Sequence, residues 1–224
     1  MNNIKWLMPV IAFVIIFAAG MWIVYPMLKK TPVLRIYNPV DINPRLVDDS
    51  LKRVTKSHRV ADFKLVNQFG DTITQKDFEG KIYVADFFFT TCPTICKDMS
   101  RNFSKLNELF ADNPDIMLLS HSVTPEIDTV EALAAYAELY GATPGKWHLT
   151  TGDKKHIYNL ARKSYFACLD EGDGGVQDFI HTENFVLVDK EKRLRGFYDG
   201  TSDADVERLI KEIGYLRKEY VKGK

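Results

Sequence analysis

Cysteine is scarce in this chain, and an excess of either sign of charge is missing altogether. Three cysteines in 224 residues are too few for a disulfide framework, so each has to be read as chemistry or as packing. Lysine plus arginine number 30 and aspartate plus glutamate 30, so the formal net charge is zero and the overall balance does not point to nucleic acid. No internal repeat and no low-complexity tract occurs, which removes solenoids and linker-like chains. Hydrophobic residues at 46% and aromatics at 12% suffice for a dense core and argue against disorder. The length fits one core, or two at most.

Long uncharged runs are also absent, with one exception. Leu7 to Leu28 carries no charged residue and is bounded by Lys5 on one side and Lys29 and Lys30 on the other. Roughly 20 residues of helix span ~30 Å of hydrocarbon, so this run is expected to be a transmembrane helix over 7–28, with Trp6, Trp22 and Tyr25 suited to the interfaces. Ala18, Ala19 and Gly20 supply small residues for a signal-peptide cleavage site, but the apolar run continues beyond them, which favours an anchor over residues 1–30. Basic residues flank both ends, so the positive-inside count leaves the orientation open. Removing residues 1–30 takes three lysines and no acid, leaving 27 basic and 30 acidic residues, a formal charge of −3. Residues 31–58, with Pro32, Pro39 and Pro44 and little periodicity, read as a tether, and residues 59–224 as the folded domain.

Within that domain, FKLVNQFGDTIT alternates around Phe69-Gly70-Asp71 and predicts a β-hairpin. KIYVADFFF, residues 81–89, is the nearly continuous apolar run of a central strand covered on both faces. Cys96, Met99, Phe103, Leu106 and Phe110 recur at three and four residues, an amphipathic helix started by Cys92-Pro93 and ended near Asn113-Pro114. A buried strand over 115–123, a helix over 126–140, a strand over 147–151 and a helix over 153–163 capped by Asp153 follow. A hairpin over 184–198 and a helix over 203–220 close the chain. Strands alternating with helices and ending in a hairpin predict an α/β sandwich with a central mixed sheet.

Cys92 and Cys96 lie four apart where the buried strand meets the helix. With Pro93 as the first helical residue, Cys92 is the N-cap and Cys96 one turn in, so both sulfurs point to one site. Unpaired amides and the partial positive charge of a helix N-terminus favour thiolate over thiol there. The bland alternative is two small core residues, since unpaired cysteine is often buried. A two-residue gap is the usual dithiol oxidoreductase spacing, whereas the three-residue gap here leaves room for an ion between soft ligands suited to Cu(I) or zinc, with a third ligand needed. Among the five histidines, His58 and His156 read as solvated and His148 as a packed strand residue. His121, near the C-terminal edge of the sheet, is a second candidate ligand. His181, after the glycine-rich segment 172–175 and before the strand NFVLVD, is the stronger. Cys168 reads first as a core cysteine and second as a redox partner. Asp170, Glu171 and Asp173 read as a solvated loop or an acidic rim.

The segments DFFFTTCPTICKDM, SVTPEIDT, WHLTTG and FIHTENFVLVD occur in that order. Over roughly residues 60–215 the chain resembles the Sco/SenC family of membrane-tethered copper proteins. The resemblance implies a thioredoxin-like fold and a metal site made by Cys92, Cys96 and His181. It implies copper, as Cu(I) or also Cu(II), received from an upstream donor. The partner it implies is the copper-bearing subunit of cytochrome c oxidase, to whose binuclear centre copper is delivered or whose thiols are reduced. Two departures stand out: Thr124 replaces the aspartate common in the family's S-V-D-P segment, and Lys97 stands where a proline often follows the second cysteine. The implied location is a bacterial inner membrane, single pass, with the soluble domain on the periplasmic side, because no Arg-rich leader precedes the span. An enzymatic alternative remains open, a thiol-disulfide reductase acting through Cys92 and Cys96; a peroxiredoxin-like peroxidase is weaker, because both cysteines sit a turn apart on one helix.

Overall fold

A computed structural model of the chain describes residues 4–28, 32–48, 50–55, 58–169, 172, 174–175 and 177–222. The chain divides into two compact units, residues 1–33 and 34–224. The first is one helix, α1 (Ile4–Leu28). Its segment Met8–Tyr25 is long and apolar enough to cross a membrane. Lys29 and Lys30, and the side chains of Lys5 and Trp6, lie outside the described residues.

The second unit is built on a seven-stranded mixed sheet of β1 (Lys64–Asn67), β2 (Thr72–Thr74), β3 (Ile82–Phe88), β4 (Ile116–Ser122), β5 (Trp147–Thr151), β6 (Asn184–Val188) and β7 (Leu194–Asp199). The spatial order is β2-β1-β5-β4-β3-β6-β7. The three central strands run parallel and the outer ones pair antiparallel. Every residue of β3 and β4 is buried, including Asp86, Ser120, His121 and Ser122, as expected of central strands covered on both faces. At the β1–β2 turn Gly70 takes φ +82°, which glycine adopts without strain, and the Asn67 side chain accepts from the amides of Phe69 and Asp71.

Apolar layers cover both faces. α2 (Ile95–Leu109), α3 (Val130–Leu139) and α5 (Asp203–Lys222) pack on one, where Met99, Phe103, Leu106, Leu133, Leu209 and Ile213 meet Val84, Leu118 and Leu187. α4 (Lys154–Asn159) and the chain on either side of it cover the other, where Ile157, Leu160 and Tyr165 meet Ala85, Phe87 and Leu119. The expected helix over 153–163 keeps its Asp153 cap but changes character after Asn159: Leu160–Ser164 is a π-turn, closed by the Tyr165 amide on the Leu160 carbonyl at 2.9 Å.

The expected tether over 31–58 is largely part of the domain. Tyr37 pairs with Leu194 beside β7, Pro39 and Val47 are buried, and Arg195 donates to the carbonyls of Leu34 and Arg35. Its prolines start short 3₁₀ turns at Pro39 and Pro44 rather than keeping the segment extended.

Candidate metal centre

α2 starts at Ile95, two residues later than expected. Thr94, at φ −124° and ψ −104°, cannot belong to a helix, and the Cys92 amide closes a turn on the Phe89 carbonyl at 3.3 Å. Cys92 therefore lies in the loop before the helix and Cys96 in its first turn. Both sulfurs are buried in the layer under α2, at 4% and 2% exposure. They lie within hydrogen-bonding reach of each other, and the Phe89 amide donates to the Cys96 sulfur.

The two thiols differ electrostatically, where the sequence suggested that both favour the thiolate. Burial acts to raise the Cys92 pKa, but hydrogen bonds from the Cys96 thiol, from the amides of Cys96 and Thr94 and from the Thr94 hydroxyl bring it below the ordinary thiol value. Burial pushes the Cys96 thiol up to about 12, aided by its bond to the Cys92 sulfur and the negative charge of Asp86. Asp86, in β3, is itself pushed up to about 7 by burial against a hydrogen bond from Ser120.

His181 is exposed on the loop before β6, its ring 6.3 Å between centroids from that of Phe89, the residue whose backbone meets both cysteines. Phe179, half exposed, contacts both rings. The structure thus brings Cys92 and Cys96 together and holds His181 one aromatic ring away. Among the described residues no three His, Cys, Asp or Glu side chains gather as a metal-holding group.

His121 falls on the opposite face of the sheet, fully buried among Phe63, Phe87 and Tyr165, with Nδ1 at 3.0 Å from the Thr150 hydroxyl. Burial, with a smaller contribution from His156, lowers its pKa to about 3. It cannot reach the thiol pair, because β4 directs it into the other layer. His148 is packed as expected. His58 is not solvated: its Nε2 lies 2.8 Å from the Ser164 carbonyl and its ring rests on Phe166. His156 is likewise half-buried rather than free in solvent. Cys168 is buried in the layer opposite the thiol pair, and Asp170, Glu171 and Asp173 lie outside the described residues.

One residue near the site was not singled out from sequence. Asp128, with no exposed surface, receives hydrogen bonds from Thr90, Ser122 and Thr124. It precedes Thr129 at the start of α3, so in sequence it reads as one more helix-start acid; the only signal was its place in the SVTPEIDT segment.

Comparison with known proteins places the chain. The SCO1/SenC family profile matches residues 52–216. The SCO1 protein homolog of Bacillus subtilis is 30% identical over 159 residues, spanning 70% of this chain and 82% of that protein. The solved structure of BsSco, described as a Sco-family cytochrome c oxidase assembly protein with a disulfide switch, is 29% identical and superposes with a TM-score of 0.61, covering 71% of this chain and 93% of that one. Arabidopsis thaliana ScoI, solved with copper bound, is 27% identical with a TM-score of 0.56, covering 70% and 98% of the two chains.

Proposed function

The chain belongs to the SCO1/SenC family, and on that premise we propose that it is a membrane-anchored copper metallochaperone. It carries Cu(I) on Cys92, Cys96 and His181 and delivers it to, or prepares the thiols of, the binuclear copper centre of cytochrome c oxidase. The observation that carries this reading is the interacting thiol pair at the β3–α2 junction, with the Cys92 pKa depressed. The donor chemistry fits: two adjacent sulfurs are soft ligands, and an imidazole on a neighbouring loop completes a three-coordinate set for Cu(I). Copper here is cargo. Cys92 gives up its proton first, Cys96 loses its proton only as metal displaces it, and His181 comes from a loop at the surface, where an acceptor's ligands can replace it. The apolar helix α1 supports anchoring, and the proposed setting is a bacterial inner membrane with the domain on the periplasmic side.

A second reading rests on the asymmetry of the pair. A lowered Cys92 beside a raised Cys96 is the arrangement of a thiol-disulfide reductase, in which one thiolate attacks a target disulfide and the buried thiol then resolves the mixed disulfide.

The test uses the full chain in detergent, reduced under anaerobic conditions, with Cu(I) stoichiometry and affinity read by competition against a chromophoric chelator. The expected result is one tightly held Cu(I) per chain and an affinity at least about tenfold lower in His181→Ala. No tight binding by the reduced wild type overturns the copper reading and leaves the reductase.

A further inference from the structure

We infer that Asp128 is the positioning residue of the thiol pair, acting through the peptide unit that joins Phe89 to Thr90. The Asp128 carboxylate accepts from the Thr90 hydroxyl at 2.6 Å and from the Thr90 amide at 3.3 Å to each oxygen. It accepts also from the hydroxyls of Ser122, the last residue of β4, at 2.5 Å and of Thr124, two residues beyond it, at 3.1 Å. Every group in this set is a donor, which suits a carboxylate, an acceptor on both oxygens.

Capping does not explain it. The N-cap of α3 is Thr129, whose side chain takes the Ala132 amide, while Asp128 turns inward. The partners named above are hydroxyls and an amide rather than a cation, so the arrangement is an expensive way to hold two loops together. What it does achieve is orientation. A peptide unit is planar, so holding the Thr90 N–H also aims the Phe89 carbonyl on the other side of the same bond. That carbonyl accepts the Cys92 amide, while the amide of the same residue donates to the Cys96 sulfur. Asp128 therefore holds in place the residue that meets both cysteines, Phe89, without touching either cysteine. Thr124 fits the same logic: where the resemblance led us to expect an aspartate, this chain places a donor to Asp128 rather than a second carboxylate facing it.

The inference rests on Cys92 and Cys96 being the working pair, and the test separates the two ideas. Full chain in detergent is equilibrated with glutathione buffers, in which one oxidised glutathione takes two electrons and two protons from the thiol pair to give the disulfide and two reduced glutathiones. The Cys92–Cys96 disulfide is then read by alkylation and mass. Asp128→Asn is expected to lower the equilibrium constant for disulfide formation about tenfold, because the thiols lose their enforced proximity. Ile213→Val, a core change on α5 that removes one methylene and touches none of the Asp128 hydrogen bonds, is chosen as the control for stability, and its constant is expected to stay at the wild-type value. If Asp128→Asn does not fold, Thr90→Val, which removes the shortest of the Thr90 bonds and keeps the amide, is expected to shift the constant two- to fivefold in the same direction. A folded Asp128→Asn or Thr90→Val with the wild-type constant, or an equal shift in Ile213→Val, overturns the positioning role. If the wild type itself forms neither the disulfide nor a Cu(I) complex, it is the reading of the pair that fails.

Discussion

Asp86 points from the middle of β3 into the same layer as the two thiols, and an ionisable group is costly there. It is 2% exposed, and its Oδ1 has no hydrogen-bond partner. Its folded pKa of about 7 lies above the unfolded carboxylate value of 3.8. The folded chain therefore keeps a proton that the unfolded chain has lost, and the stability this supplies is complete below about pH 4 and gone once the pH has risen through 7. Buried histidines work the other way: His121 stays neutral in the fold while the unfolded imidazole gains a proton near pH 6.5, so it favours unfolding as pH falls. The difference between wild type and Asp86→Asn isolates the aspartate. In chemical denaturation without metal, Asp86→Asn is expected to gain on wild type by a few kcal/mol, on the order of the shift itself, as pH is raised from 5 to 8. A constant difference across that range would show that the carboxylate is not titrating there. A side chain that costs stability at neutral pH and whose charge raises Cys96 is better explained by the site than by the core.

Among the elements, the segment leading to His181 is restrained by a buried ion pair. Arg162, in the π-turn after α4, meets Asp178 in a bidentate pair at 2.6 and 2.7 Å, with both side chains about 6–7% exposed. Arg162 also donates to the Leu169 carbonyl, and Tyr158 donates to the Val123 and Asp178 carbonyls. The hydrogen bonds from Arg162 hold the Asp178 carboxyl below its usual range, despite partial burial. Removing one partner of a buried pair leaves the other charge unmatched, so Asp178→Asn is expected to cost about 3 kcal/mol in denaturant melts, and Arg162→Met paired with Asp178→Leu much less. Most elements were legible in the sequence because their signals are local. The nearly continuous apolar run at 82–88 and the three-and-four spacing from Cys96 to Leu106 each admit one buried arrangement. The π-turn was not, since a wider turn keeps helical spacing and differs only in which carbonyl the amide finds. The start of α2 was missed because Pro93 fits a first helical turn as well as it fits the loop that is present. Cys92 and Cys96 were legible as a pair; Asp128 was not, because its partners come from two segments separated by the whole of α2 and most of β4.

At the scale of the molecule, the domain begins earlier than its sequence suggests. Arg195 is 2% exposed and gathers Asp189, Glu219 and the carbonyls of Leu34 and Arg35, while the Leu34 amide donates to Glu219 at 2.7 Å. Tyr37 adds a bridge to Leu194 and an edge-to-face contact with Phe197, and Val47 is buried in the layer beneath α4. Prolines and weak periodicity made this stretch read as a tether, yet a segment needs no secondary structure of its own when its carbonyls satisfy a buried guanidinium and its few apolar side chains cover a sheet edge. A chain beginning at residue 34 is therefore expected to melt at the temperature of the intact domain. One beginning at residue 59 strips Arg195 of two acceptors and uncovers Leu194 and Phe197, a loss of about 3 kcal/mol or more that corresponds to a melting temperature lower by about 10 °C for a domain of this size. Equal melting temperatures for the two chains would mean that the segment rests on the domain without supporting it. A lower value for the shorter chain would show that residues 34–58 act as part of the folded unit and not as a tether.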